Sequence, residues 1–310
     1  MKPRVAITLG DPAGIGPEIA VAAARERRVL SVCEPLLVGH RLPRIPLGRP
    51  SKAAGLAAIA ALQEGVALIQ AGQAQALVTA PVSKESFALA DYGFPGHTEW
   101  LAQQSGIKEY GMLMVADHLR ALLVTRHIPL SQVPEKLNRD RIAVAARLGF
   151  NFVRDLLKKK NPRLVLCGLN PHAGDHGLLG TEEDRLLRPV LKTLKRQGLV
   201  ITGPIAADAA FRDMAQGAYD MALACYHDQG MIPLKVFASE RMVNITLGLP
   251  YIRTSPAHGT AYDIAGKKKA KIGPMIEAIL LAAKYGGRAQ SQTPTRKANT
   301  EKPNRKTRDC

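Results

Sequence analysis

The chain has 310 residues, 46% of them apolar and 5% aromatic, with a formal charge of +17. That length supports one large domain or two ordinary ones, and no apolar run approaches the ~18 residues of a membrane span. Four scattered cysteines (Cys33, Cys167, Cys225, Cys310) exclude a C-x-x-C pair and argue against a disulfide framework, which suits a reducing cytoplasm.

From the N-terminus, Met1-Lys2-Pro3-Arg4 leads into an apolar strand, Arg4–Leu9, with no secretory signal. The turn Gly10-Asp11-Pro12-Ala13-Gly14-Ile15-Gly16-Pro17-Glu18 follows, then an Ala-rich helix to about Arg27. The turn lacks the third glycine of a dinucleotide fingerprint, although its free N–H groups could attract an anion. A strand at Pro35–Val38 and a Pro-rich connection (Leu42–Pro50) precede a long helix, capped by Ser51 and running to Ile69. Further strands are predicted at Ala76–Thr79, Met112–Val115, Ala121–Thr125, Leu164–Cys167, Met221–Ala224 and Val243–Leu247. Helices are predicted over Thr98–Gln104, Arg139–Lys159, Thr181–Gln197 and Ile272–Lys284. This alternation implies α/β layers around a largely parallel sheet, with ligands at the strand ends. Residues 286–310 hold seven Lys/Arg against two Asp/Glu and almost no core-forming residues, so a disordered basic tail is expected there. No recognition helix or aromatic ladder makes nucleic acid the main partner.

Three histidines each follow an apolar strand pattern: His127 in Thr125-Arg126-His127, His172 in Asn170-Pro171-His172-Ala173-Gly174, and His227 in Tyr226-His227-Asp228-Gln229-Gly230. Neutral imidazoles converging from separate strand ends can hold a divalent cation and leave positions open for substrate. His40, His118 and His176 have no special setting and are read as structural. Asp228 could orient a ligand, move a proton or cap a helix. Lys235, Asn244 and Arg253 lie on or between the C-terminal strands, where cations can clamp a phosphate or carboxylate. His258-Gly259-Thr260-Ala261 reads as another strand-to-helix turn, with a cofactor-side or structural role.

Taken together, GDPAGIGPE (10–18), PGHTEWLA (95–102), TRHIPL (125–130), CGLNPHAGD (167–175), YHDQGMIPLK (226–235), VNITLGLPYIRTS (243–255) and HGTAYDIAG (258–266) resemble the 4-hydroxythreonine-4-phosphate dehydrogenase family of vitamin B6 biosynthesis. The strings run in family order from about residue 4 to 285. The resemblance implies two α/β/α sub-domains around a cleft, as in isocitrate and isopropylmalate dehydrogenases. One sub-domain would be 1–90 plus 236–285, and the second 91–235 would carry metal and dimer contacts. It further implies a homodimer, and His127, His172 and His227 as ligands of a metal shared across its interface. The metal would be zinc first, with cobalt or magnesium as alternatives. His97, Thr98, Lys235, Asn244 and Arg253 would bind a phosphorylated substrate, NAD or NADP would be reduced, and Asp228 or Lys235 would take the alcohol proton. Other readings are a sister dehydrogenase of 4-phosphothreonate or 4-phosphoerythronate, a non-redox metal-dependent phosphohydrolase, and a basic nucleic-acid-binding module.

Overall fold

The computed structural model describes residues 1–39, 45–94 and 96–290; His40 and the start of the Pro-rich connection, Leu42–Arg44, lie outside them, as does Pro95. Ten strands form one sheet: β1 Arg4–Thr8, β2 Glu34–Val38, β3 Ala76–Thr79, β4 Gly111–Ala116, β5 Leu119–Leu123, β6 Leu164–Cys167, β7 Ile201–Ile205, β8 Met221–Ala224, β9 Met242–Leu247 and β10 Ile252–Pro256. Their order is β2–β1–β3–β10–β9–β4–β5–β8–β6–β7. The helices are α1 Gly16–Ala24, α2 Arg27–Val32, α3 Lys52–Gln70, α4 Lys84–Leu89, α5 His97–Gln104 and α6 Val133–Lys136. After them come α7 Arg139–Asn151, α8 Arg188–Arg196, α9 Ala207–Ala215, α10 His227–Ala238 and α11 Gly273–Gln290.

The sheet is largely parallel, as expected, except at its centre. Both flanks are parallel, but β9 runs antiparallel to β10 and to β4, and β4 runs antiparallel to β5. A tight β4–β5 hairpin and a short β9–β10 link replace helical crossovers there. Strand alternation then divides the residues. Val243, Ile245, Leu247, Leu113, Val115 and Ile252 enter the large core, while Asn244, Arg253, Ser255, Met112 and Met114 line a cleft. Register confirms the common face: Asn244 pairs with Met114 and Ser255, and Thr246 with Met112 and Arg253.

Several helices differ from the sequence expectations. The first ends at Ala24, and a short second helix begins at Arg27. The helix from Arg139 continues beyond Asn151 only as a π turn, Phe152–Leu156. Lys235 lies on α10 and not in the strand region. Gly286–Gln290 belong to α11, against the expected disordered tail; the rest of that expectation, 291–310, lies outside the described residues. Ser51 does cap its helix, its side chain accepting from Ala54 N at 3.1 Å. By length and composition that helix, α3, could also cross a membrane; here it packs on β1, β3 and α4 through Ala58, Ile59, Leu62 and Val66.

Candidate active site

A cleft of about 740 Å³ opens above the polar face of β4, β9 and β10. Its walls come from the loop after β3 and α4 (Pro81, Lys84), from α5 (His97, Thr98, Glu99), from the segment after β5 (Arg126, His127) and from α10 (His227, Lys235). Five cationic side chains, Lys84, Arg126, Arg141, Lys235 and Arg253, face one carboxylate, Glu99. Such a cleft attracts doubly charged anions.

Arg253 sets the chemistry of the floor. It is 2% exposed, and its Nη1 donates to Thr246 Oγ1 at 3.0 Å, while Nε and Nη2 donate to Thr79 Oγ1 at 3.2 and 2.5 Å. It forms no ion pair among the described residues. Burial pulls its pKa down to about 10, against smaller opposing effects of Tyr251 and Glu99. A buried guanidinium held by hydroxyls alone is suited to an incoming anion. Beside it, Asn244 Oδ1 is buried with no hydrogen-bond partner among the described residues.

His97 is neutral at pH 7, because burial and then the Arg253 charge hold its pKa well below the ordinary 6.5. Its ring stands edge-on to Phe87 at 6.2 Å. The unfolded chain takes up this proton near pH 6.5 and the folded chain does not. Stability from this group is therefore complete above that pH and is lost as the pH falls below it. In urea melts, His97→Gln should flatten part of the stability loss between pH 7.5 and 5; a wild-type slope would exclude His97 as its source.

The rings of His127 and His227 lie 5.3 Å apart between centroids. Burial, then Lys84 and His227, lower the pKa of His127, so it presents a neutral nitrogen. His227 Nδ1 pairs with Asp228 Oδ1 at 2.7 Å, which leaves Nε2 as its available donor. A carboxylate on one imidazole nitrogen, freeing the other, is how metal-binding histidines are commonly oriented. Asp228 does not line the cleft; it lies at one end of an apolar groove between α9 and α10.

A family model described as pyridoxal phosphate biosynthetic protein PdxA matches residues 16–282. The chain belongs to the PdxA family. A 4-hydroxythreonine-4-phosphate dehydrogenase from Zymomonas mobilis is 40% identical over 320 residues, covering 91% of this chain and 95% of that protein. The crystal structure of the enzyme of that name from Klebsiella pneumoniae superposes with a TM-score of 0.83 at 35% identity, covering 92% of this chain and 98% of the other. An isocitrate dehydrogenase from Methylococcus capsulatus, 16% identical with a TM-score of 0.53, shares the fold. The expected fold class is therefore borne out.

Within this PdxA-family chain the residues singled out from sequence fall into two groups. His97, Thr98, His127, His227, Lys235, Asn244 and Arg253 all line the cleft. His172 does not. It is exposed on the loop after β6, and among the described residues no three His, Cys, Asp or Glu gather closely enough to hold a metal ion. The glycine-rich turn does not offer its amides to an anion: Ala13 N donates to Asp11 Oδ1, Gly14 N to Asp11 O and Ile15 N to Thr260 O. Asp11 is itself fully buried and also accepts from Ser86 Oγ and Tyr262 Oη, which ties this turn to α4 and to the segment after His258. That segment makes only a 3₁₀ turn, Tyr262–Ile264, before α11. Lys84, Arg126 and Arg141 escaped the sequence reading because lone basic residues on loops or helix starts resemble ordinary solvated charges. Arg126 does carry a structural mark: its guanidinium stacks over Tyr110 at 4.4 Å.

Proposed function

We propose that the chain oxidises the secondary alcohol of 4-phosphooxy-L-threonine with NAD or NADP, giving 2-amino-3-oxo-4-phosphooxybutanoate. This product loses carbon dioxide to form 3-amino-2-oxopropyl phosphate on the route to pyridoxal phosphate. The observation that carries the reading is the buried, carboxylate-free Arg253 in a cationic cleft beside paired imidazoles, in a chain that matches dehydrogenases of that name along nearly their whole length.

Arg253 holds an anionic end of the substrate, while Asn244, Thr98 and neutral His97 orient its polar groups. Lys235 lines the cleft and takes the alcohol proton; Asp228 acts through His227, whose ring it orients. His127 and His227 would hold a divalent cation through one imidazole nitrogen each, and His172 of a second copy would supply the third. Zinc suits three imidazoles best, with cobalt next and magnesium least natural. A cation held there would supply Lewis-acid polarisation of the oxygen that changes from alcohol to ketone.

A homodimer follows from the same reading. The groove between α9 and α10 leaves Ile232 60% and Val236 84% exposed. Phe211, Pro233 and Phe237 complete this apolar patch, which reaches Asp228 beside His227. A second copy seated there brings its own loops close to the His127–His227 pair.

Reduction of NAD and of NADP is followed at 340 nm with 4-phosphooxy-L-threonine, with 4-phosphothreonate, and with chelator added. Turnover of the first substrate that chelator abolishes and zinc restores is expected. Phosphate release without cofactor reduction would replace this reading with a phosphohydrolase.

A further inference from the structure

Between β6 and α8 the backbone does something uncommon. Five consecutive residues, His172, Ala173, Gly174, Asp175 and His176, have φ of 52°, 53°, 82°, 39° and 55°, so the loop makes a full left-handed turn. L-residues avoid that region, and a run of five persists only where the surroundings impose it. Packed against this loop is Glu183, 2% exposed at the start of the next helical segment. Its Oε1 accepts from Leu169 N and from Asn170 N, both at 2.8 Å, and its Oε2 accepts from Asn170 Nδ2 at 2.9 Å. The same Asn170 amide also donates to Glu182 Oε2 at 2.7 Å, which fixes its orientation. Ala173 N then donates to Asn170 O and closes the turn. Gly174 makes room for the carboxylate: a Cβ there would lie 2.7 Å from Glu183 Oε2.

Glu183 pairs with no cation among the described residues. A buried charge satisfied by three N–H donors is an expensive way to hold a loop that only needs to be folded. Its contacts are specific: they hold the two residues just before the turn, and His172, inside the turn, is exposed and outside its own chain's cleft.

We propose that Glu183 is a positioning residue that presents His172 to the cation site of a second copy. The proposal rests on the metal reading above. Its test is the zinc dissociation constant of the metal-free full-length protein, by competition with a chromophoric chelator, together with the absorption spectrum of the cobalt form. Glu183→Ala should weaken zinc binding by about 10–100-fold, the range found when a partner of a metal ligand is removed. Glu183→Gln keeps the shape, safeguards against failed folding and should fall between wild type and Ala. Gly174→Ala, which leaves the carboxylate in place but intrudes on it, should also weaken zinc and alter the cobalt spectrum. Thermal melts and circular dichroism verify that each variant is folded. Wild-type zinc affinity in Glu183→Gln and Gly174→Ala, with zinc lost from His172→Ala, would overturn the role of Glu183 alone. Zinc retained by His172→Ala would remove the metal reading and this role together.

Discussion

Arg253→Met should lower kcat/KM about 10³-fold, or about 4 kcal/mol, while leaving the melting temperature unchanged or raised. The two halves of this expectation have one cause. In the free protein the guanidinium is buried against two threonine hydroxyls and no carboxylate, so the fold bears a desolvation cost of several kcal/mol. Methionine removes that charge at similar volume. The hydroxyls of Thr79 and Thr246 lose a partner at about 1 kcal/mol each, which does not exceed the relief. The substrate, by contrast, loses a buried cation able to grip it with a planar fork. Arg253→Lys should recover part of the affinity and none of the two-point geometry. Steady-state kinetics and a thermal melt decide the matter. A variant that loses activity and stability in parallel would make Arg253 a structural residue.

Mixing two inactive variants should restore activity. His127→Ala and His172→Ala each damage both sites of a homodimer if the imidazoles come from different copies. In the mixed dimer one site carries both lesions and the other carries none. Random exchange of equal amounts makes half of the dimers mixed, each with one intact site, so about a quarter of wild-type activity returns. Mixing His127→Ala with His227→Ala should restore nothing, because those rings lie side by side in one chain. Activity after denaturation and joint refolding is the measurement. No recovery in the first mixture would place all three donors within a single chain.

Much of this architecture was legible in the sequence, and the exceptions are physical. Ala76–Thr79, Leu164–Cys167 and Met221–Ala224 were read to the residue, because buried parallel strands are short apolar runs bounded by turn formers. Strand β7 was missed: Ile-Thr-Gly-Pro-Ile carries a glycine and a proline, tolerable because it lies at the sheet edge. Strand β10 was missed because Ile-Arg-Thr-Ser-Pro looks like a loop. Its polar side chains are buried for function, Arg253 and Ser255 in the cleft and Thr254 against Ala278 O of α11. At the site, strand ends announced His127 and His227, and the family strings marked Arg253 and Asn244. Glu183 left no local signal. Its partners are amides more than ten positions earlier in the chain, and Thr181-Glu182-Glu183 reads as an ordinary acidic helix start.

The antiparallel β9 has one more consequence. Its odd-numbered residues are hydrocarbon, while Asn244 and Thr246 between them are polar, with partners fixed on both sides. A slip by a single position would drive the amide into oil and strand Val243 or Ile245 in the ligand's chamber. The greasy underside thus acts as a proofreader: a central ribbon misthreaded by one position is rejected by hydrophobicity before it could present a wrong set of groups to a ligand.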